Sequence, residues 1–181
     1  MFKEEKTTQI ASYLLNKAGG TMSHLKLMKL IYLADRFSYQ RYGKPISGDL
    51  AVSMNHGPVL SATYDLMKGV RKSEYWNNWI SPIINNELSL NNQNDLLCFD
   101  LLSKAVTKIL DEVFAQFGYK TTWEIRDDTH EFPEWEDPKG SSKPIPVSAI
   151  LRAVGINSDM IERILVRLEE NDALDRVLAS L

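Results

Sequence analysis

Apolar residues recur mostly at helical spacing along this chain and switch to alternation only in short stretches. In TTQIASYLLNK (residues 7–17), Ile10, Tyr13, Leu14 and Lys17 have helical spacing. Thr7 or Thr8 can cap the start, and Gly19-Gly20 ends the helix because glycine takes the left-handed conformation cheaply. The strongest pattern is MSHLKLMKLIYLADRFSYQRYG. It predicts a helix with Leu27, Leu30, Ile31, Ala34, Phe37 and Ser38 on an inward stripe, and Lys26, Lys29, Arg36 and Gln40 on another face. Ser23 stands at the cap position, and Gly43 with Pro45 stops the helix.

The period then changes. KPISGDLAVSMNHGPV carries a Ser-Gly-Asp turn followed by alternating Leu50, Val52 and Met54, which predicts a short strand or extended arm. His56-Gly57-Pro58 breaks it, and Pro58 suits the first turn of a new helix over 59–68. Further on, residues 79–84 and 88–90 flank Asn85-Asn86, a pair that tolerates positive φ and predicts a small hairpin. Pro82 places the first of those strands at an edge.

Residues 94–117 read as a helix with Leu97, Leu101, Ala105, Ile109 and Val113 inward, ended by Gly118. Thr121 with Glu124 spells a capping box that opens a helix through about Thr129. Prolines 133, 138, 144 and 146 punctuate the chain before two closing helices, about 147–154 and 158–178, the second capped by Asn157, Ser158 or Asp159. The fold class is therefore mainly α with a small β element (α+β): a compact helical domain with one or two short hairpins or arms and a helical C-terminal tail. Residues 1–146 form the domain, and 147–181 form a helical segment packed on it or extending it.

The length of 181 residues is that of one domain with a real core. A single cysteine, Cys98, excludes an internal disulfide and a cysteine-based zinc cage. The charged N-terminal residues and the lack of a long apolar run predict a cytoplasmic protein without membrane contact. The net charge of −3 argues against bulk nucleic-acid binding. Its distribution is uneven: residues 21–45 are basic and 124–137 acidic, which predicts two electrostatic faces.

The densest chemistry lies in DDTHEFPEW, residues 127–135. His130 beside Asp127, Asp128 and Glu131 can be read as a carboxylate-oriented base. The alternative is a histidine at a helix C-terminus, where it meets the negative end of the dipole. The second is favoured, because no nucleophile or oxyanion donor can be named beside it. Nothing predicts a catalytic, cofactor-binding or metal site: no P-loop, GxSxG or HExxH is present, and His24, His56 and His130 are widely separated. Lys26, Lys29 and Arg36 can be read as a phosphate-facing stripe of a winged helix-turn-helix, which makes the chain's own promoter DNA an alternative partner.

"KLMKLIYLADRFSYQRYGKPISGDLAVSMNHGPVLSATYDLMKG" resembles the Panacea domain, also called the SocA-like or phage GepA-like antitoxin domain. Lys29, Leu30, Tyr32, Tyr42-Gly43, Pro45, Asp49 and His56-Gly57-Pro58-Val59 carry the resemblance, followed downstream by Thr129, His130 and Trp135. It spans roughly residues 6–155. The resemblance implies a compact, mainly helical fold. It also implies a non-enzymatic antitoxin that binds a cognate protein toxin encoded beside it, either neutralising it directly or, as in at least one relative, delivering it to a protease. On this view Asp127, Asp128, Glu131 and Glu134 form an outward acidic surface toward the toxin. Trp76, Trp79, Trp123 or Trp135 supplies an anchor where exposed.

Overall fold

In the computed structural model, which describes residues 1–91, 98–178 and 180, one helix organises all the others. Helix α2 (His24–Tyr42) is buried on every side from Leu27 to Asp35. Around it pack α1 (Glu4–Lys17), α3 (Ser61–Met67), α5 (Lys104–Phe117), α6 (Thr122–His130) and α7 (Val147–Ala153), together with strand β3 (Gly57–Leu60). The mainly α fold with a small β element matches the expectation from the pattern. The expected polar face of α2 is interrupted, because Lys29 is fully buried while Lys26 and Arg36 are half-buried and Gln40 is exposed. A stripe rule assumes one wet side, and the central stretch of this helix from Leu27 to Asp35 has none.

Several predicted ends recur at the atomic level. Gly43 closes α2 in the left-handed conformation, donating its N–H to Tyr39 O. Thr121 and Glu124 form the reciprocal capping box of α6. Asn157 Oδ1 accepts from Met160 N–H at the start of α8 (Ser158–Leu178). Other expectations fail. Ser23 is the N-cap residue of α2 but makes no side-chain cap bond. Helix α1 begins at Glu4, so Thr7 and Thr8 lie inside it, both buried, and Thr8 Oγ1 donates to Glu4 O. Helix α5 begins only at Lys104, where the Ser103 hydroxyl accepts from Val106 N–H. Leu101 precedes the helix, and the predicted turn containing Leu97 lies outside the described residues.

Two small antiparallel sheets flank the helices. Strand β2 (Ala51–Met54) pairs with β3 across the two-residue turn Asn55-His56, and with β5 (Lys143–Pro144) on its other side. The alternation runs in the opposite phase to that expected: Ala51 and Ser53 are buried, whereas Leu50 is 75% exposed. Inward Ser53 is satisfied by accepting from Glu136 N–H. Gly57-Pro58-Val59-Leu60 is a strand rather than a helix start. Ser61 N–H donates to Leu50 O, which sets the register so that Pro58 turns its ring nitrogen and carbonyl away from β2. A proline there breaks no ladder bond.

Strand β1 (Thr21–Ser23) pairs with β4 (Glu87–Ser89), which bonds on its far side to residues 80–84. Asn85 and Asn86 turn that hairpin at φ 50° and 66°, as the sequence predicts. Trp79, expected in a strand, instead ends α4 (Glu74–Trp79). The tail joins the same core: Ile150, Leu151, Ile161 and Ile164 are buried, and Ile164 rests on Gly43. No helix among the described residues is long and apolar enough to cross a membrane.

Candidate functional site

The two motif regions, far apart in sequence, meet at the tip of the β2–β3 hairpin. Gly57 sits at φ +88°, and a methyl group there would lie 2.8 Å from Thr129 Oγ1, 2.9 Å from Lys29 Nζ and 3.3 Å from His130 Cδ2. That approach explains why glycine is needed: the backbone must come within contact of α2 and α6 at once. Lys29 Nζ donates to Pro58 O at 2.7 Å, taking the carbonyl that the strand register turns outward. Thr129 is fully buried and donates to Arg126 O. The His130 ring lies 4.4 Å from the Trp135 ring, centre to centre, and Trp135 Nε1 donates to Met54 O at 3.2 Å. Helix end, hairpin tip and the turn after α6 are thereby closed into one polar knot.

A second knot lies one turn along α2. Glu134 Oε1 accepts from Tyr32 O–H at 2.9 Å and from Arg36 Nε at 2.7 Å, with a fully buried Glu134 side chain. The Arg36 guanidinium also lies 4.2 Å from the centre of the Phe132 ring. Two further carboxylates serve the backbone. Asp49 accepts from Ala62 N–H and from both Thr63 N–H and hydroxyl, so it caps α3 from a distance. Asp35 accepts from Ile46 N–H, Ser47 N–H and the Ser47 hydroxyl.

Burial shapes the charges. Desolvation lowers the Lys29 ammonium from 10.5 to about 7. Desolvation raises Asp35 to about 6, against the pull of its Ser47 and Ile46 bonds. His130 is lowered, first by desolvation and then by Lys29 and Arg126, and its Nε2 is buried without a partner. An amine near neutrality is a nucleophile in principle. Lys29, however, has no opening to solvent through which a substrate could reach it.

The remaining sequence candidates fall apart as groups. Glu134 is not part of an outward acidic surface, because it is buried under Arg36. Asp127 pairs with Arg126 and Asp128 with Lys120, which leaves Glu131 as the exposed acid of that set without an ion pair among the described residues. The stripe Lys26–Lys29–Arg36 is not a phosphate-facing surface either. Lys26 donates to Gly118 O at 2.6 Å, Lys29 is buried, and Arg36 is held by Glu134. Of the four tryptophans, Trp76 is buried, Trp79 and Trp135 are half-buried, and Trp123 is 58% exposed. Val59 is buried, whereas Tyr42 and His56 are exposed and Pro45 is half-buried. Among the described residues, no group of three His, Cys, Asp or Glu side chains is placed to hold a metal ion.

Sequence reasoning missed Asp35 and the true role of Glu134. Asp35 had a signal, since it falls four residues after Ile31 on the buried side of α2. Glu134 had none, because its partners lie about a hundred residues upstream.

Fold and knots together define a mainly helical α+β domain whose motif residues hold distant segments of backbone in place. Residues 27–136 match the family model described as the antitoxin SocA-like, Panacea domain, and the chain belongs to that family. No curated protein and no solved structure matches it.

Proposed function

We propose that this protein is a non-enzymatic antitoxin that neutralises a cognate protein toxin by direct binding in the cytoplasm. Membership of the antitoxin family over 27–136 carries this reading. The geometry supports it in one respect: Lys29, Thr129, His130 and Trp135 are used to brace a scaffold, which frees the outer surface to be chosen for a partner. Such a surface needs about 800 Å² per partner to occlude a toxin's substrate site.

Co-expression with the neighbouring gene tests the proposal. That gene alone should arrest growth, and this chain should restore it. A neighbour that is harmless alone, or toxic in the presence of this chain, would overturn it. Delivery to a protease is the second form of the same reading. It predicts that the toxin disappears from rescued cells, whereas direct neutralisation leaves it present in a complex.

A further inference from the structure

The strand edges of this fold differ in one respect. Edge strand β3 carries Pro58 and is covered by α2, with Leu60 N–H directed at Met28 sulfur and Pro58 O at Lys29. Strand β5 carries Pro144 at the position between its two bonded neighbours, and the segment outside β4 carries Pro82. Proline at an edge blocks pairing with another chain. Among the described strands, β1 is the edge without one. Leu90 N–H bonds to Gly20 O and His24 N–H to Asn86 O, so the register turns the Thr21 N–H and C=O and the Ser23 N–H away from β4.

Those groups open into a trough. A groove of about 500 Å³ runs between β1 and the turn from α5 to α6, past Lys26 and Tyr119, which is 87% exposed. It shares Ser23 and Thr122 with a deeper cleft of about 620 Å³, whose apolar lining includes Leu25, Met54, Val59, Tyr64 and the exposed Trp123. Lys26 is half-buried in the groove and meets a carbonyl but no carboxylate among the described residues.

We propose that an extended segment of the partner protein adds to β1 as a further strand. An acidic side chain of the segment meets Lys26, and an apolar or aromatic side chain enters the Trp123 cleft. Main-chain bonds to a free edge provide affinity, and a neighbouring pocket provides selectivity. Glu87 also lines the groove but makes no ion pair with Lys26 among the described residues, so the preference for an acidic side chain is local to the Lys26 position. This inference rests on the antitoxin reading and names the surface that reading leaves open.

Ser23→Pro is the decisive variant. Ser23 has φ −55°, which proline adopts, and its N–H faces the trough, so the isolated fold keeps its bonds. Trp123→Ala is the second variant, at an exposed position. The probe is the product of the neighbouring gene, titrated calorimetrically against each folded variant. Each variant should bind about tenfold or more weakly. In the wild-type complex, the Thr21 and Ser23 amides should gain protection from hydrogen exchange. Wild-type binding that both variants retain in full, with those amides unprotected, overturns the strand-addition proposal and leaves the antitoxin reading standing. No binding by the wild-type chain overturns both. Self-association that Ser23→Pro abolishes would assign the edge to a second copy of this chain and overturn the partner-segment proposal.

Discussion

The two ends of α6 carry the same residue types under opposite conditions. At its start, Trp123 is 58% exposed, with the Arg126 guanidinium 4.7 Å from its ring centre. Just past its end, Trp135 lies against His130 and donates to Met54 O, while Thr129 and Glu134 are buried. Trp123 is stacked by an arginine of its own helix and borders an open cleft, whereas the other end is bonded to α2 and the β2–β3 hairpin. Residue type therefore does not separate scaffold from contact surface here. What separates them is how many distant segments each side chain must satisfy. The scaffold end should be intolerant of change, whereas at the exposed end Trp123, which takes no part in the Thr121–Glu124 capping box, should be free to vary without loss of stability.

Gly57→Ala should break the scaffold end most severely. It forces a methyl group into Thr129 and Lys29 at a positive φ, and about 3–5 kcal/mol of stability should be lost in denaturant titration. Glu134→Ala should follow at about 3 kcal/mol, because it strands the Arg36 guanidinium and the Tyr32 hydroxyl, whereas Glu131→Ala should stay within about 0.5 kcal/mol. An equal response to those two glutamate substitutions would erase the distinction drawn here.

Lys29 adds a pH test. Its folded-state value of about 7 lies below 10.5, so between these values the unfolded chain binds the extra proton and stability rises with pH. From pH 7 to 9 the rise should be about 2 kcal/mol in wild type and should be lost in Lys29→Met. His130, lowered as well, contributes in the same direction below its ordinary value. Asp35, raised to about 6, acts oppositely, so its contribution falls as pH rises from about 4 to 6. His130→Ala should cost about 1–2 kcal/mol through lost ring contact with Trp135, measured by thermal melting. Trp123→Ala should change stability least, within about 0.5 kcal/mol.

Local features were legible in the chain because local chemistry produces them. Gly43 ends α2, Thr121 and Glu124 cap α6, Asn85-Asn86 turns its hairpin, and the tail divides into α7 and α8 near the expected residues. Each depends on neighbours within a few positions. The candidate site was legible only as a set of motif positions. His130 sits at the end of its helix as its position suggested, but Glu134 left the acidic run for the interior.

The sequence by itself determined the helical majority, the turns and the caps, because backbone preference and hydrophobic period act over short range. Tertiary structure alone decided that α2 would be enclosed on every side from Leu27 to Asp35, that Pro58 would lie in a strand, and that Lys29 and Glu134 would be interior. The reason is physical. A buried charge or a carbonyl turned off its ladder must find a partner, and here the partners arrive from α2, the β2–β3 hairpin and the segment after α6, which the chain brings together only on folding.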